Sequence, residues 1–288
     1  MKSVVVQSFI GTVVAVVVAA FIAFAGSQGG VVWAGVPVFA LCAGLALTIQ
    51  WLVFIPSLLA RTEHYYDLTG SLTYISVTLF ALMIAGQFDP RSLLVAALCL
   101  IWAGRLGSFL FLRVKQAGFD RRFAKMLDIP MQFFMTWTLQ GLWVVVTLAA
   151  GLAVLTSPAV PLDGWAIAGA TVWLVGFTIE VIADMQKSRF REENKDGFIT
   201  SGLWSWSRHP NYFGEIVLWI GIALIAVPVL SGWQWATMIS PIFVIVLLTQ
   251  ISGVRMLESS AKKRWGDDPE FQAYKSNTSV LIPMPPSK

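Results

Sequence analysis

The densest concentration of ligand-binding side chains is Trp204-Ser-Trp-Ser-Arg-His-Pro-Asn-Tyr-Phe-Gly-Glu215. Proline is tolerated at the first position of a helix, where its missing N–H leaves no bond unmade, so a helix is expected to open at Pro210. Asn211 and Glu215, four residues apart, then share one face, with Tyr212 in the same junction. Arg208 and His209 stand just ahead of that amino terminus, where free backbone N–H groups and the helix dipole favour an anion. An isolated His-Pro or Asn-Tyr is unremarkable; this many polar and aromatic groups at one junction point to a binding site.

A second cluster precedes it. Glu180 and Asp184 lie four residues apart, and on a continuing helix Lys187, Ser188 and Arg191 fall on the same stripe. Glu180 suits hydrogen bonds from an amide or a ribose hydroxyl, whereas Arg189 and Arg191 suit phosphate, because guanidinium grips phosphate oxygens bidentately. A solvated, salt-bridged helix end is the plainer reading of the same spacing. Downstream, Arg255, Glu258 and Lys262 recur at i, i+3 and i+7. Trp265, Tyr274 and Leu281-Ile-Pro283 then suggest an amphipathic helix and a strap lying back on the membrane face. Lys262 to Arg264 taken alone reads as a lipid-surface charge run.

Upstream, Arg61-Thr-Glu-His-Tyr-Tyr-Asp-Leu-Thr-Gly70 places Tyr65, Tyr66 and Asp67 in one turn ahead of an apolar run. Tyrosine donates a proton and a carboxylate orients it or acts as an acid; an interfacial aromatic belt with an N-cap is the alternative. Arg105 lies deepest in apolar sequence. An ionisable side chain there is costly, so it is either a buried or snorkelling ion pair or an anion contact facing a cavity.

The elements that position these groups follow from composition. The 288 residues are 57% hydrophobic and only 12% charged, half the charge of a soluble domain, with mean hydropathy +0.72. Runs of about 20 apolar residues, each long enough to cross a bilayer as a helix, fill most of the chain. The expected fold is an all-α polytopic transmembrane bundle forming one integral membrane domain over 1–288. Within it, 1–60 holds the N-terminal spans, 61–183 the central spans with the substrate-side turn, and 184–288 the cofactor-binding loops, last spans and tail. About eight spans are placed at Val4–Phe24, Val31–Leu59, Ser71–Gly86, Leu93–Leu112, Met131–Leu155, Trp165–Ala183, Phe213–Leu230 and Ala236–Val254, with seven as the alternative.

With eight spans and a cytoplasmic amino terminus, 18 of the 20 Lys and Arg residues fall on one side, as the positive-inside rule requires. The two exceptions are Arg91 and Arg105. The net charge of +4 then belongs to loops facing anionic lipid headgroups, and nucleic acid is not an expected partner. The first run is too long and too weakly flanked for a signal peptide. Cys42 and Cys99 lie inside apolar runs with no CxxC or His partner, so neither a disulfide scaffold nor a metal site is expected. There is no GxGxxG after a strand and no GxxxxGK[ST], HExxH or GxSxG. A nucleotide would have to be held by loops and span ends.

These motifs carry a resemblance. The segment from about Trp173 to Pro283 resembles the steroid 5-alpha-reductase superfamily, and the whole chain looks closest to its bacterial membrane branch. The likeness rests on Tyr65-Tyr-Asp-Leu-Thr-Gly-Ser71, Trp102-Ala-Gly-Arg-Leu-Gly-Ser108 with Asp120-Arg-Arg-Phe123, Asp184 with Arg191, Gly202 to Glu215, and Tyr274 nine residues before Pro283. The Arg-His-Pro-Asn-Tyr box is similar also to one in sterol C14-reductases and in isoprenylcysteine carboxyl methyltransferases.

The resemblance implies NADPH-dependent reduction of a carbon–carbon double bond conjugated to a ketone, in a lipophilic steroid- or isoprenoid-like substrate. Asp184, Arg191, Asn211, Glu215 and Tyr274 would contact NADPH, and Arg105 occupies a family arginine position. Glu180, Lys187, Arg189, Arg208, His209, Tyr212, Arg255 and Glu258 complete the expected cofactor set. Asp67 stands where the family's substrate-polarising glutamate does. Trp102 replaces a family tyrosine; because indole cannot serve as an acid, Tyr65 or Tyr66 is expected to take its place. A bacterial inner membrane with the cofactor site in the cytoplasm is expected. The competing readings are an S-adenosylmethionine-dependent membrane methyltransferase, which needs fewer cations because its cofactor lacks phosphates, and a non-enzymatic lipid-binding or transport bundle, which would place its site near the midplane.

Overall fold

The computed structural model describes residues 2–117, 123, 126–194 and 196–286. Asp120, Arg121 and Arg122 of the Asp120-Arg-Arg-Phe123 motif lie outside them. The chain falls into two compact units, one comprising residues 1–166 and 225–240, the other 167–224 and 241–288.

The first unit carries α1 (Lys2–Gly26), a small hairpin of β1 (Val32–Trp33) and β2 (Val36–Pro37), α2 (Val38–Leu59), α3 (Tyr66–Ala85), α4 (Pro90–Ala117) and α5 (Pro130–Leu155). Of the most apolar stretch of α5, 89% is buried, against 33–44% for α1 to α4. Helix α5 is therefore the axis, packed by the other four, whose remaining apolar faces are left for lipid. Small residues set the contacts: a Cβ at Gly70 would stand 2.6 Å from the Gln140 amide and one at Gly107 2.5 Å from Ser71, the close approach that drives helix association where lipid supplies no hydrophobic contrast.

Two span boundaries are corrected. The span placed at Val31–Leu59 begins only at Val38. The residues before it turn back as an antiparallel pair, Val32 opposite Pro37, through Ala34 (φ 50°) and Gly35 (φ 83°), the positive-φ pair that a two-residue hairpin turn demands. Hydropathy is blind to this turn because all its residues are apolar or small. The span placed at Ser71 starts at Tyr66, so Tyr66 and Asp67 sit in the first turn of α3 rather than ahead of it. The span count agrees with the expectation of about eight, or seven: among the described residues, seven helical runs are long and apolar enough to cross a membrane, and an eighth, Pro210–Ala226, has 17 residues, the lower limit for a span.

Arg91, noted above as an isolated outer cation, is 1% exposed. Its Nε donates to Val160 O (3.2 Å), its two terminal nitrogens to Ile225 O and Pro161 O (2.6 Å each), and it pairs with Asp163 at 2.8 Å. The guanidinium thus ties the start of α4 to the turn after α5. Arg91→Ala strands three carbonyls at about 1 kcal/mol or more each, so thermal unfolding in detergent is expected to show a loss of about 3 kcal/mol. An unchanged melting curve would contradict this.

The second unit holds most of α6 (Gly164–Glu193), α7 (Pro210–Ala226), α8 (Ile239–Val246), a π-helical turn over Leu247–Ile251, α9 (Val254–Trp265) and α10 (Pro269–Asn277). Its organising contact is a glycine seam. A Cβ at Gly176 would lie 2.5 Å from Leu218 N, one at Gly214 2.6 Å from Gly176 O and Glu180 N, and one at Gly221 2.6 Å from Gly169 O and Trp173 N. Helices α6 and α7 therefore meet backbone to backbone, which only glycine permits.

Candidate functional site

Helix α6 runs unbroken to Glu193, so the stripe read from spacing exists. Glu180 (2% exposed) and Asp184 (6% exposed) are buried along the glycine seam. One turn before Gly214, Asn211 donates from Nδ2 to Asp184 Oδ1 at 3.1 Å. The seam thus brings together two residues of the expected cofactor set that lie 27 positions apart. Helix α7 opens at Pro210 as expected, and the His209 carbonyl accepts its first bond, from Phe213 N–H at 3.2 Å.

Below that junction the second unit forms a cleft of about 260 Å³. Among the described residues its cations are Lys187, Arg191, Arg208 and Arg264, its one carboxylate is Glu258, and its walls include Phe190, Phe198, Trp204 and Trp265. Arg208 is 9% exposed. Its guanidinium donates to Lys275 O (3.3 Å) and lies 3.4 Å from Glu258, while its Nε–H is buried without a partner. His209 Nε2 lies 3.0 Å from the other Glu258 oxygen, so the network assigns the proton to Nε2 and leaves buried Nδ1 as an acceptor. The Tyr212 ring stacks on His209 at 5.7 Å.

Burial holds His209 below its ordinary pKa despite the opposing pull of Glu258, so the imidazole is neutral at pH 7. Burial likewise pushes the Tyr274 phenol up; it stays protonated and donates to Trp204 O at 2.7 Å. Trp204 in turn donates from Nε1 to Ala183 O at 3.0 Å, with the Lys187 ammonium 4.5 Å over its ring. Gly202 (φ 62°) lets the chain lie against the Gln186 amide, whose oxygen accepts from Leu203 N–H at 3.0 Å.

Of the expected cofactor set, Lys187, Arg191, Arg208, His209, Glu258 and Tyr274 line the cleft. Asp184 and Asn211 are bonded to each other, Glu215 is half-buried one turn along α7, and Arg189 and Arg255 are exposed outside the lining. Arg105 belongs to the first unit, half-buried on α4 with its guanidinium 5.4 Å over Phe109. So does the Tyr65–Asp67 turn. Tyr65 is 52% exposed and Tyr66 4%, the latter donating its hydroxyl to Thr136 O at 3.0 Å and packed against Phe123 and Trp137.

Arg264 belongs by composition to a lipid-surface charge run, yet it lines the cleft and pairs with Asp196 at 2.6 Å. The signal was available: Leu257, Glu258, Ala261, Arg264 and Trp265 recur at helical spacing, and all five line the cleft. Phe190, Phe198 and Phe271 were passed over because lone aromatics in a polar stretch have no period of their own.

Residues 53–278 match a family described as protein of unknown function, DUF1295. Among curated proteins, the chain is 32% identical over 137 residues to bovine (Bos taurus) 3-oxo-5-alpha-steroid 4-dehydrogenase 1, covering 45% of this chain and 48% of that one. It is 25% identical over 120 residues to the rat (Rattus norvegicus) protein of the same name, covering 41% of each. It is also 31% identical over 72 residues to Arabidopsis thaliana steroid 5-alpha-reductase DET2, covering 24% of this chain and 25% of that one. The matches span less than half the length of these relatives, and no solved structure gives a significant match. An integral membrane bundle with a family match over residues 53–278 and these relatives, the chain belongs to the DUF1295 family, within the steroid 5-alpha-reductase superfamily.

Proposed function

We propose that the cleft of the second unit binds NADPH and that the protein reduces a carbon–carbon double bond conjugated to a ketone in a lipophilic, steroid- or isoprenoid-like molecule. The observation that carries the reading is the cleft's donor set: four cations facing one carboxylate, aromatic walls, and a buried Arg208 Nε–H without a protein partner. A buried unmet donor costs about 1–3 kcal/mol, and a phosphate oxygen would meet it. The similarity to 3-oxo-5-alpha-steroid 4-dehydrogenases supports the substrate class.

In this reading Lys187, Arg191, Arg208 and Arg264 neutralise phosphates, and Asp184, Asn211 and Glu215 orient the amide end of the cofactor. When bound, the reduced nicotinamide supplies the hydride that the β-carbon of the enone accepts. The chain's own part is to hold the developing enolate oxygen by a hydrogen bond. Because the Tyr66 hydroxyl is committed to Thr136 O, that bond is assigned to the Tyr65 hydroxyl or to Asp67 as its neutral acid, the form of a carboxyl group that donates, and the α-carbon then takes its proton from water.

The test is nucleotide fluorescence on detergent-purified protein, with NADH and S-adenosylmethionine as competitors. NADPH binds, S-adenosylmethionine does not displace it, and Arg191→Ala weakens it, while Asp67→Asn lowers enone turnover with NADPH affinity retained. Displacement by S-adenosylmethionine in the absence of NADPH binding would turn the reading to methyl transfer.

A further inference from the structure

The segment after α10 bends back to the loop that carries Arg208, meeting it in a single parallel bridge between Ser279 and Ser207. Arg208 N–H donates to Ser279 O (2.8 Å), Ser207 O–H to Leu281 O (2.8 Å), and Met284 N–H to Trp206 O (3.0 Å). The bonds fix one edge of this strap. Its alternate residues point away: Val280 is 42% exposed, Ile282 57% and Met284 53%, and Trp206, bonded to Met284, is 46% exposed. Residues 278–286 carry no charge. The second unit therefore displays an apolar ridge of four side chains on a segment locked to its own binding loop.

The location of this ridge selects its occupant. Trp206 is four residues from Pro210, where α7 enters the apolar phase. At 1.5 Å per residue the 17 residues of α7 reach only about 25 Å, short of a hydrocarbon core of about 30 Å. A short span draws its flanking residues toward the hydrocarbon boundary, and tryptophan prefers that depth. The cations of α9, Lys262 and Lys263, and Lys275 of α10 supply the charge that an anionic headgroup layer attracts.

We propose that Trp206, Val280, Ile282 and Met284 form a lipid-docking ridge that inserts into the headgroup–acyl boundary of an anionic bilayer at the α7 entrance. The strap thereby fastens the Arg208–His209 loop to the membrane surface. The proposal does not depend on which cofactor the cleft takes.

Cys42 and Cys99 are buried, so single cysteines introduced at 280, 281, 282 and 284 in the full chain accept a nitroxide selectively. The labelled protein is reconstituted in phosphatidylcholine–phosphatidylglycerol vesicles, with exposed Gln272→Cys as the aqueous reference. Labels at 280, 282 and 284 are expected to collide with oxygen several-fold more, relative to a water-soluble nickel chelate, than the label at 272, and the label at 281 is expected not to. Nickel access equal to that of 272 would mean the ridge faces water. Low access to both reagents at all three positions would mean that a protein surface, such as a second copy, covers it. Either result overturns the proposal, and three independent positions keep it testable if one variant fails to fold.

Discussion

Arg208→Ala is expected to weaken NADPH binding about 100-fold, equivalent to about 2.7 kcal/mol, with the fold retained. Two effects combine. The variant removes a buried guanidinium whose Nε–H has no protein partner, and a hydrogen bond to a charged group contributes about 1.5–3 kcal/mol. It also uncovers Glu258, which Arg208 faces at 3.4 Å, so an anion would meet a carboxylate no longer neutralised. Arg208→Ala with Glu258→Gln should therefore recover part of the loss. That recovery separates an electrostatic role from a structural one, because Glu258→Gln removes the carboxylate charge while its amide oxygen can still accept from His209 Nε2–H, and so would not repair a packing defect. The check is a fluorescence titration at two salt concentrations, with thermal melts as control. An unchanged dissociation constant in the single variant would remove Arg208 from the anion site; loss without recovery in the double variant would assign it to the fold.

Spans such as α1 and α5 are legible because their apolar runs exceed the bilayer thickness, a property of composition alone. The site stripe from Asp184 to Arg191 and the helix start at Pro210 are legible because spacing and proline chemistry are local. The Val32–Pro37 hairpin is not, since its residues are as apolar as the helix they precede and only backbone conformation sets them apart. The strap is illegible for a different reason. Ser207 and Leu281 are bonded across 74 positions, and nothing in either segment names the other. Arg264 fell between these cases: its helical register was visible, but a run of three cations drew the reading toward lipid.

The glycine seam is where fold and site meet, and Gly214→Leu is expected to produce a large structural loss. A Cβ at this position meets Gly176 O and Glu180 N at 2.6 Å. Both are backbone atoms of α6 that no rotamer change can move, so even alanine must push the helices apart. Overpacking of this kind typically costs about 1–3 kcal/mol for small increments, and a leucine side chain in a backbone contact exceeds that range. Separation would reach the site directly. Asn211 lies one turn before Gly214 and Asp184 one turn after Glu180, so a shift of even half an ångström stretches their 3.1 Å hydrogen bond toward the limit of bonding. Gly214→Ala should accordingly lower both melting temperature and nucleotide affinity, and Gly214→Leu should yield little folded protein. The internal control is Gly104 in α4, where a Cβ meets nothing within 4 Å. There Gly104→Ala removes the conformational cost of a helical glycine and should be neutral or stabilising by about 0.5–1 kcal/mol. Equal behaviour of the two alanine variants in thermal unfolding would show that α6 and α7 do not depend on backbone contact. A loss at Gly214 alone would locate the origin of the Asp184–Asn211 geometry in two small residues on facing spans.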